Sequence, residues 1–265
     1  MSTLPTLSIG VIASETKAAR QALSRLAKLY DFTRIDAEKP EKAKVDVVLA
    51  LGGDGFMLHT LHEFINSGIP IYGMNCGTVG FLMNTYQEKK LLERIAAARP
   101  TMIHPLLMKV LTREDKVIER RAINEVSLMR QTAQAAHIQI SIDGIVQMKE
   151  LVGDGVLVST PAGSSAYNAS LGGPIMPLRT EIVSLTPISP FRPRRWGGAI
   201  LPDRARVGFQ VIDPKKRPVT AVADFVATKN VVSVEVMKDK SQSVTLLFDP
   251  GHSLEERILK EQFQS

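Results

Sequence analysis

Val45-Asp46-Val47-Val48-Leu49-Ala50-Leu51-Gly52-Gly53-Asp54-Gly55-Phe56 is the stretch on which the reading of the fold turns. Its β-branched and aliphatic run has the look of a strand buried on both faces, as strands of parallel sheets are. The glycines end that run. A helix is expected from Phe56 to about Asn66, closed by Gly68 and Pro70. Upstream, Leu7 to Ile12 is a short apolar run. Ala18 to Leu29 carries helical spacing at Ala22, Leu23, Leu26 and Leu29. Downstream, Ile69 to Met74 reads as a strand and Lys89 to Ala98 as a helix. This alternation predicts an α/β domain with a parallel sheet over residues 1–103.

The pattern changes near Pro100 to Pro105. From there short strands dominate: Leu106 to Leu111, Arg121 to Met129, Ala136 to Ile142, Gln147 to Leu151 and Gly155 to Val158. Asp143-Gly144 between two of them is a two-residue hairpin signal. Ala205 to Ile212, Val219 to Val222, Val231 to Val236 and Ser243 to Phe248 continue the series. Residues 104–250 are therefore expected to form a β-rich domain. Residues 251–265 are expected to form a helical tail able to return to the first domain. Ser253 would be its N-cap, Glu255 and Glu256 would lie in its first turn, and it would run to Gln262. There is no internal repeat.

With 44% hydrophobic and 23% charged residues, the chain has the composition of a soluble globular protein. No apolar run approaches the ~20 residues that a bilayer requires. Met1 to Pro5 lacks the pattern of a secretory signal. The single Cys76 can form no internal disulfide, so a reducing, cytoplasmic setting is expected. The formal charge of +6 favours anionic partners without naming one. Its basic clusters, Arg192, Arg194 and Arg195, then Lys215 to Arg217, are short. Aromatics at 5% are too few for the stacking platforms of a single-strand binder. Neither nucleic acid nor membrane is an expected partner.

Three stretches carry chemistry. At Gly52-Gly53-Asp54-Gly55 the backbone can approach a ligand closely. The helix that follows offers unpaired N–H groups and a positive dipole end to phosphate. Asp54 is then a carboxylate at the carboxyl end of a parallel strand, where ligands of α/β sheets bind; the bland alternative is a tight turn in which Asp54 caps the helix. Neither G-x-x-x-x-G-K-[ST] nor G-x-G-x-x-G occurs here. The second stretch runs from Gly153-Asp154-Gly155 through Ser159-Thr160-Pro161-Ala162-Gly163-Ser164-Ser165-Ala166-Tyr167 to Leu171-Gly172-Gly173-Pro174. This loop is dense in hydroxyls and small residues, and it can offer several polar groups and the face of Tyr167 to a ligand. The alternative of a flexible linker sits poorly with Pro161, Tyr167 and the strand before them. Third, Asn124-Glu125 lies in an alternating run, which aims one of the two toward the apolar side. A buried Asn or Glu needs partners, and a ribose hydroxyl is one candidate; an ordinary edge-strand pair is the other. His59, His62 and Glu63 lack metal-site spacing and read as surface helix residues, so no metal-ligating residue is assigned.

In their order and approximate spacing these stretches resemble the NAD kinase family of the bacterial type. Gly77-Thr78-Val79-Gly80-Phe81-Leu82 resembles a further family segment. The glycine–aspartate turn alone is shared with diacylglycerol and sphingosine kinases; the loop ending at Tyr167 is not. The resemblance implies an α/β domain followed by a β-sandwich-like domain, assembled as a homodimer or homotetramer. It implies transfer of the terminal phosphoryl group of ATP, with Mg²⁺, to the 2′-hydroxyl of the adenosine ribose of NAD. Asp54 would be catalytic, and Gly52, Gly53 and Gly55 would receive ATP phosphates. Asn124 and Glu125 would hold NAD, and Asp154 would touch its nicotinamide side. Ala162, Ser165, Ala166, Tyr167 and Ser170 would line the adenine and nicotinamide pockets, with Phe81 packed on the substrate. The chain departs from the pattern in four places. Ala162 and Ser165 stand where threonine is common, Phe191 where many relatives carry histidine, and Asp224-Phe225 where Asp-Gly is typical.

Phosphoryl transfer is mainly positioning and charge stabilisation. An aspartate of reference pKa ~3.9 cannot deprotonate a hydroxyl beforehand, so the proton would leave with or after the loose transition state. Asp54 as metal anchor is the other possible role. At the level of sequence two alternatives stay open: a lipid or other hydroxyl kinase sharing the GGDG turn, and a non-catalytic NAD or NADP sensor.

Overall fold

The computed structural model describes residues 7–36, 44–77 and 80–251. The chain forms two compact units. One takes the chain up to Ile103 and again from Gln242; the other is His104–Ser241.

In the first unit, β1 (Ile9–Ala13), α1 (Lys17–Leu26), β2 (Thr33–Arg34), β3 (Val47–Gly52), α2 (Asp54–Glu63), β4 (Ile71–Asn75), β5 (Asn84–Thr85), α3 (Leu91–Ala97) and β6 (Arg99–Ile103) follow in order. The second unit holds β7 (Leu106–Thr112), β8 (Val117–Ala122), β9 (Glu125–Arg130), β10 (Ala136–Ile142), β11 (Ile145–Gly153) and β12 (Gly155–Ser159). It continues with α4 (Tyr167–Ser170), β13 (Ile182–Ile188), β14 (Ala199–Pro202), β15 (Val207–Val211), β16 (Val219–Ala223), β17 (Val226–Thr228) and β18 (Val231–Lys238). The chain then returns to the first unit with β19 (Val244–Phe248).

The first sheet has the order β2-β1-β3-β4-β19-β6, with β5 beside the end of β4. Its pairs are parallel except the last, in which β6 runs antiparallel to β19. Every residue of β3 is buried, because helices cover both faces. Val47, Leu49, Leu51, Tyr72 and Met74 pack with Ala19, Ala22 and Leu26 of α1 and with Leu91 and Ile95 of α3. On the opposite face a Cβ added at Gly73 would lie 2.1 Å from the Met57 Cε of α2, so glycine is what lets α2 lie down on β4. Thr16 starts α1 by accepting the Ala19 N–H at 3.3 Å.

Ser243 to Phe248 was expected in the β-rich domain, and the structure corrects this. As β19 it lies between β4 and β6, so the return to the first unit begins at Gln242 and not at residue 251. Its alternating burial reads the same whichever sheet it joins, so only tertiary pairing could decide. The expected helix Ser253 to Gln262 lies outside the described residues.

Two six-stranded antiparallel sheets make the second unit. Their orders are β11-β10-β15-β18-β7-β8 and β14-β13-β12-β9-β16-β17. Met108, Val110, Ile138, Ile140, Phe209 and Val234 of the first meet Val126, Leu128, Val156, Val158, Leu185 and Ala221 of the second in one core. Asp143 and Gly144, at φ 51° and 81°, make the two-residue turn between β10 and β11, as their sequence predicts. Arg121 to Met129, expected as one strand, is two. β8 belongs to the first of these sheets and β9 to the second, and the chain crosses between them at Ile123-Asn124. A run of strand-forming residues carries no sign of such a crossing. The sequence reading also missed β13, which is buried along nearly its whole length.

A polar cluster pins the returning strand. Tyr72 Oη donates to Asp249 Oδ1 at 2.6 Å, and the Arg94 guanidinium is ion-paired with Asp249 Oδ2 and donates to Thr85 O at 2.9 Å. Asp249 N–H donates to Asn84 Oδ1 at 2.9 Å, while Asn84 Nδ2 donates to Gly73 O and Leu247 O. Burial first, then the bond to Asp249, hold the Tyr72 hydroxyl far above its ordinary range. Asp249→Ala strands both Arg94 and Tyr72. It should lower unfolding stability by about 3 kcal/mol, read as a fall in the urea midpoint without change in slope.

Candidate functional site

The first unit holds the turn between β3 and α2. Gly53 is the N-cap at φ −117°, no side chain caps the helix, and Asp54 is its first residue. Asp54 is therefore the first helical residue and not the N-cap itself. Its carboxylate instead accepts the N–H of Phe81 at 2.6 Å and of Leu82 at 3.1 Å, which fixes its orientation at the end of the sheet. Gly80 fits beneath it, since a Cβ there would lie 3.1 Å from Asp54 Oδ1. Asn75 Oδ1 accepts the Gly77 N–H at 2.8 Å, and Cys76 N–H donates to Gly52 O at 2.7 Å. The three glycines differ. The Cβ position of Gly52 is taken by the Phe56 ring at 2.5 Å, whereas at Gly53 and Gly55 nothing lies within 4 Å. Open backbone at a helix start, with first-turn N–H groups and a dipole end, suits a phosphate. Phe81 is half-buried. Thr78 and Val79 lie outside the described residues.

In the second unit a separate group of the expected residues gathers where the start of β9 lies beside the end of β12. Glu125 pairs with Ser159 across the ladder. Thr160 Oγ1 donates to Ile123 O at 2.7 Å, and Thr160 N–H donates to Asn124 O at 2.9 Å. Gly163 then crosses so close that a Cβ would lie 2.3 Å from Asn124 O; only glycine allows that approach. From the other side Asp224, in the turn between β16 and β17, accepts the N–H groups of Ile123, Asn124 and Glu125 at 2.7, 3.0 and 3.0 Å. Asn124 Oδ1 and Glu125 Oε2 are buried and lack a hydrogen-bond partner among the described residues. Burial, with the Asp224 charge second, raises the Glu125 carboxyl from 4.5 to about 7.

The loop after β12 is built, not slack. Ser164 Oγ donates to Pro161 O at 2.7 Å and accepts the Met176 N–H at 2.9 Å. Asn168 is fully buried. Its Nδ2 donates to Ser164 O and Pro174 O, and its Oδ1 accepts from Ser184 and Thr186 hydroxyls at 2.8 and 2.7 Å. Ala162 is buried, Ser165, Ala166 and Tyr167 are half-buried, and Ser170 is exposed. Asp154 stands between β11 and β12 and is ion-paired with Arg130. Asn75, Arg130, Ser164 and Asn168 were not singled out from sequence. Asp224 was noted only as a departure from pattern. Their bonds run to backbone or to residues far along the chain, which spacing cannot reveal. His59 is exposed and His62 half-buried on α2. Among the described residues no three His, Cys, Asp or Glu side chains cluster closely enough to hold a metal ion.

A phosphate-suited helix start, and a pair of buried acceptors without partners among the described residues beside a hydroxyl-rich loop, are the equipment of a protein that handles a phosphorylated, hydroxyl-bearing ligand. The ATP-NAD kinase N-terminal domain model matches residues 7–99, and the ATP-NAD kinase C-terminal domain model matches residues 123–224. An NAD kinase of Cereibacter sphaeroides is 53% identical over 255 residues, 96% of this chain and 98% of that protein. An NAD kinase of Caulobacter vibrioides is 53% identical, covering 95% and 94% of the two chains. In fold, the chain is similar to a yeast NADH kinase complexed with NADH, at a TM-score of 0.83 and 20% identity over 98% of this chain and 88% of that one. It is also similar to an NAD kinase from Archaeoglobus fulgidus in complex with ATP, at a TM-score of 0.73 and 20% identity over 97% of each. The chain belongs to the NAD kinase family. Its activity is the transfer of the terminal phosphoryl group of ATP to the 2′-hydroxyl of the adenosine ribose of NAD, giving NADP and ADP. The lipid-kinase and sensor alternatives are set aside by the same matches.

The raised Glu125 carboxyl has a consequence in the ligand-free protein. Between pH 4.5 and about 7 the folded state binds more protons at this group than the unfolded state. Its contribution to stability therefore declines as pH rises through that window. Between pH 5 and 8, Glu125→Gln should lose less stability than the wild type by about 2 kcal/mol, measured by urea unfolding at both pH values.

Proposed function

We propose that Asn124 and Glu125 hold NAD, and that Asp54 acts directly on the ribose hydroxyl that receives the phosphoryl group. The observation that carries this reading is the pair of buried acceptors, Asn124 Oδ1 and Glu125 Oε2, that have no hydrogen-bond partner among the described residues. A buried polar atom without a partner costs about 1–3 kcal/mol, which a ligand rich in hydroxyl and amide donors would recover. Ala162, Ser165, Ala166, Tyr167 and Ser170, on the loop pinned by Ser164 and Asn168, line the adenine and nicotinamide pockets in this reading. Asp154, held by Arg130, meets the nicotinamide side, and Phe81 packs on the substrate. Of the two similar structures, one is a complex with NADH and the other a complex with ATP, which agrees with a site for a dinucleotide and a triphosphate.

The open backbone of Gly53 and Gly55 and the uncapped start of α2 receive the ATP phosphates, with Gly52 keeping Phe56 and the turn in place. The Asp54 carboxylate, oriented by the Phe81 and Leu82 N–H groups, orients the 2′-hydroxyl and takes its proton as the loose transition state forms. Mg²⁺ binds characteristically through one or two carboxylates together with substrate phosphates, which fits a turn with one carboxylate; when bound, it neutralises phosphate charge. The same reading makes the protein a cytoplasmic homodimer or homotetramer. The single Cys76 supports a reducing compartment, and among the described residues no helix is long and apolar enough to cross a membrane. Light scattering on the purified protein decides the subunit number.

The test is NADP formation from ATP, Mg²⁺ and NAD. Asp54→Asn should lower turnover by roughly 10²–10⁴-fold while calorimetry still finds NAD bound near wild-type affinity. Near-normal turnover in the variant would remove Asp54 from the chemistry.

A further inference from the structure

The crossing at Ile123-Asn124 needs explanation in its own right, because a chain passing between two sheets gives up the ladder bonds that would hold it. Three successive N–H groups, those of Ile123, Asn124 and Glu125, lie at this crossing, and all three donate to the one carboxylate of Asp224. The grip is mutual, since Asp224 N–H donates to Glu125 O at 3.1 Å. Asp224 takes φ 51° in a two-residue turn whose flanking residues, Ala223 and Val226, face each other across the β16–β17 ladder. Aspartate tolerates the left-handed region better than most residues do. Successive N–H groups converging on one point form a nest for an anion. Here the anion is a side chain 99 residues further on from Glu125.

We propose that Asp224 is a positioning residue for NAD: its carboxylate locks the backbone from Ile123 to Glu125 and so aims the Asn124 and Glu125 side chains at the dinucleotide. This rests on the reading that Asn124 and Glu125 hold NAD. The clamp is not an ordinary structural bond, because its charge also acts on the residue it positions. Asp224 is the one charged group found acting on the Glu125 carboxyl among the described residues, and it holds that carboxyl up beyond the effect of burial. Locking and charge belong to the same side chain, so one substitution alters both.

Asp224→Asn preserves shape, but one of its two oxygens becomes an NH₂ group that cannot accept. At least one of the three N–H groups is then left facing a donor. The expected result is an NAD KM raised roughly tenfold, the worth of one such bond, with the ATP KM at its wild-type value. The midpoint of the pH dependence of kcat/KM for NAD should move to lower pH, because the carboxylate that opposed Glu125 ionisation is gone. In a Glu125→Gln background the same substitution should move no midpoint. An unchanged NAD KM overturns the proposal, and so does a raised KM with an unmoved midpoint, which would mark Asp224 as merely structural. If Asn124→Ala and Glu125→Gln leave the NAD KM unaltered, the reading of that pair fails and the proposal falls with it. That outcome is distinct from one in which they raise KM and Asp224→Asn does not. Should Asp224→Asn fail to fold, hydrogen exchange on the unaltered, NAD-free protein decides: strong protection of the Ile123, Asn124 and Glu125 amides is expected, and rapid exchange overturns the clamp.

Discussion

A strand can be apolar along its whole length only if both of its faces are covered, and β3 is apolar from Val47 to Leu51 with each residue buried. The rest of the first unit follows from that constraint. Side chains of alternating parity need separate covers, so α1 and α3 take the face of Leu49 and Leu51 while α2 takes the other. The close fit at Gly73 brings α2 down onto β4. To reach the second face the chain must turn at the carboxyl end of β3, and the turn is short because α2 begins two residues later. The helix start thus falls at the carboxyl end of β3, at the end of the sheet. The helix start proposed to receive phosphate is a by-product of burying a strand.

Contrasting fates of two asparagines separate structure from function in the second unit. Asn168 is fully buried and uses both halves of its amide, two bonds given and two received. Such a group rigidifies the loop around it, and the loop from Thr160 to Met176 is held in this way against the face of Ser184 and Thr186. Asn124 lies next to the same loop, yet its Oδ1 is buried without a partner among the described residues, as is Glu125 Oε2. A fold that satisfies Asn168 so completely has the means to satisfy its neighbours. Leaving two acceptors bare carries a cost that hydrophobic packing must offset elsewhere, and the proposed contact with NAD would recover it.

Much of the architecture was legible in the residues. The GGDG turn, the βα alternation around it, the Asp143-Gly144 hairpin and most strands of the second unit were readable because each depends on near neighbours in sequence. Boundaries shifted by a few residues, as with α2, which starts at Asp54 and not Phe56. The failures share a cause. Val244–Phe248 has the alternation of any half-buried strand, and nothing local assigns it to β4 and β6. Arg121 to Met129 has the composition of one strand because both of its halves are strands; the crossing between sheets leaves no mark on composition.

The sequence by itself determined the class of fold and the chemical inventory of the site: an apolar strand into a glycine–aspartate turn, then a loop of hydroxyls and small residues. Those are local matters of backbone freedom, periodicity and residue type. Only the tertiary structure decided that Asp54 binds the Phe81 and Leu82 amides and does not cap its helix, that Gly52 differs from Gly53 and Gly55, and that Asp224 grips Ile123 to Glu125. Each of these is a meeting of groups far apart along the chain. Such meetings are fixed by how sheets pair and pack, and pairing depends on the geometry of the whole unit, which no local spacing encodes.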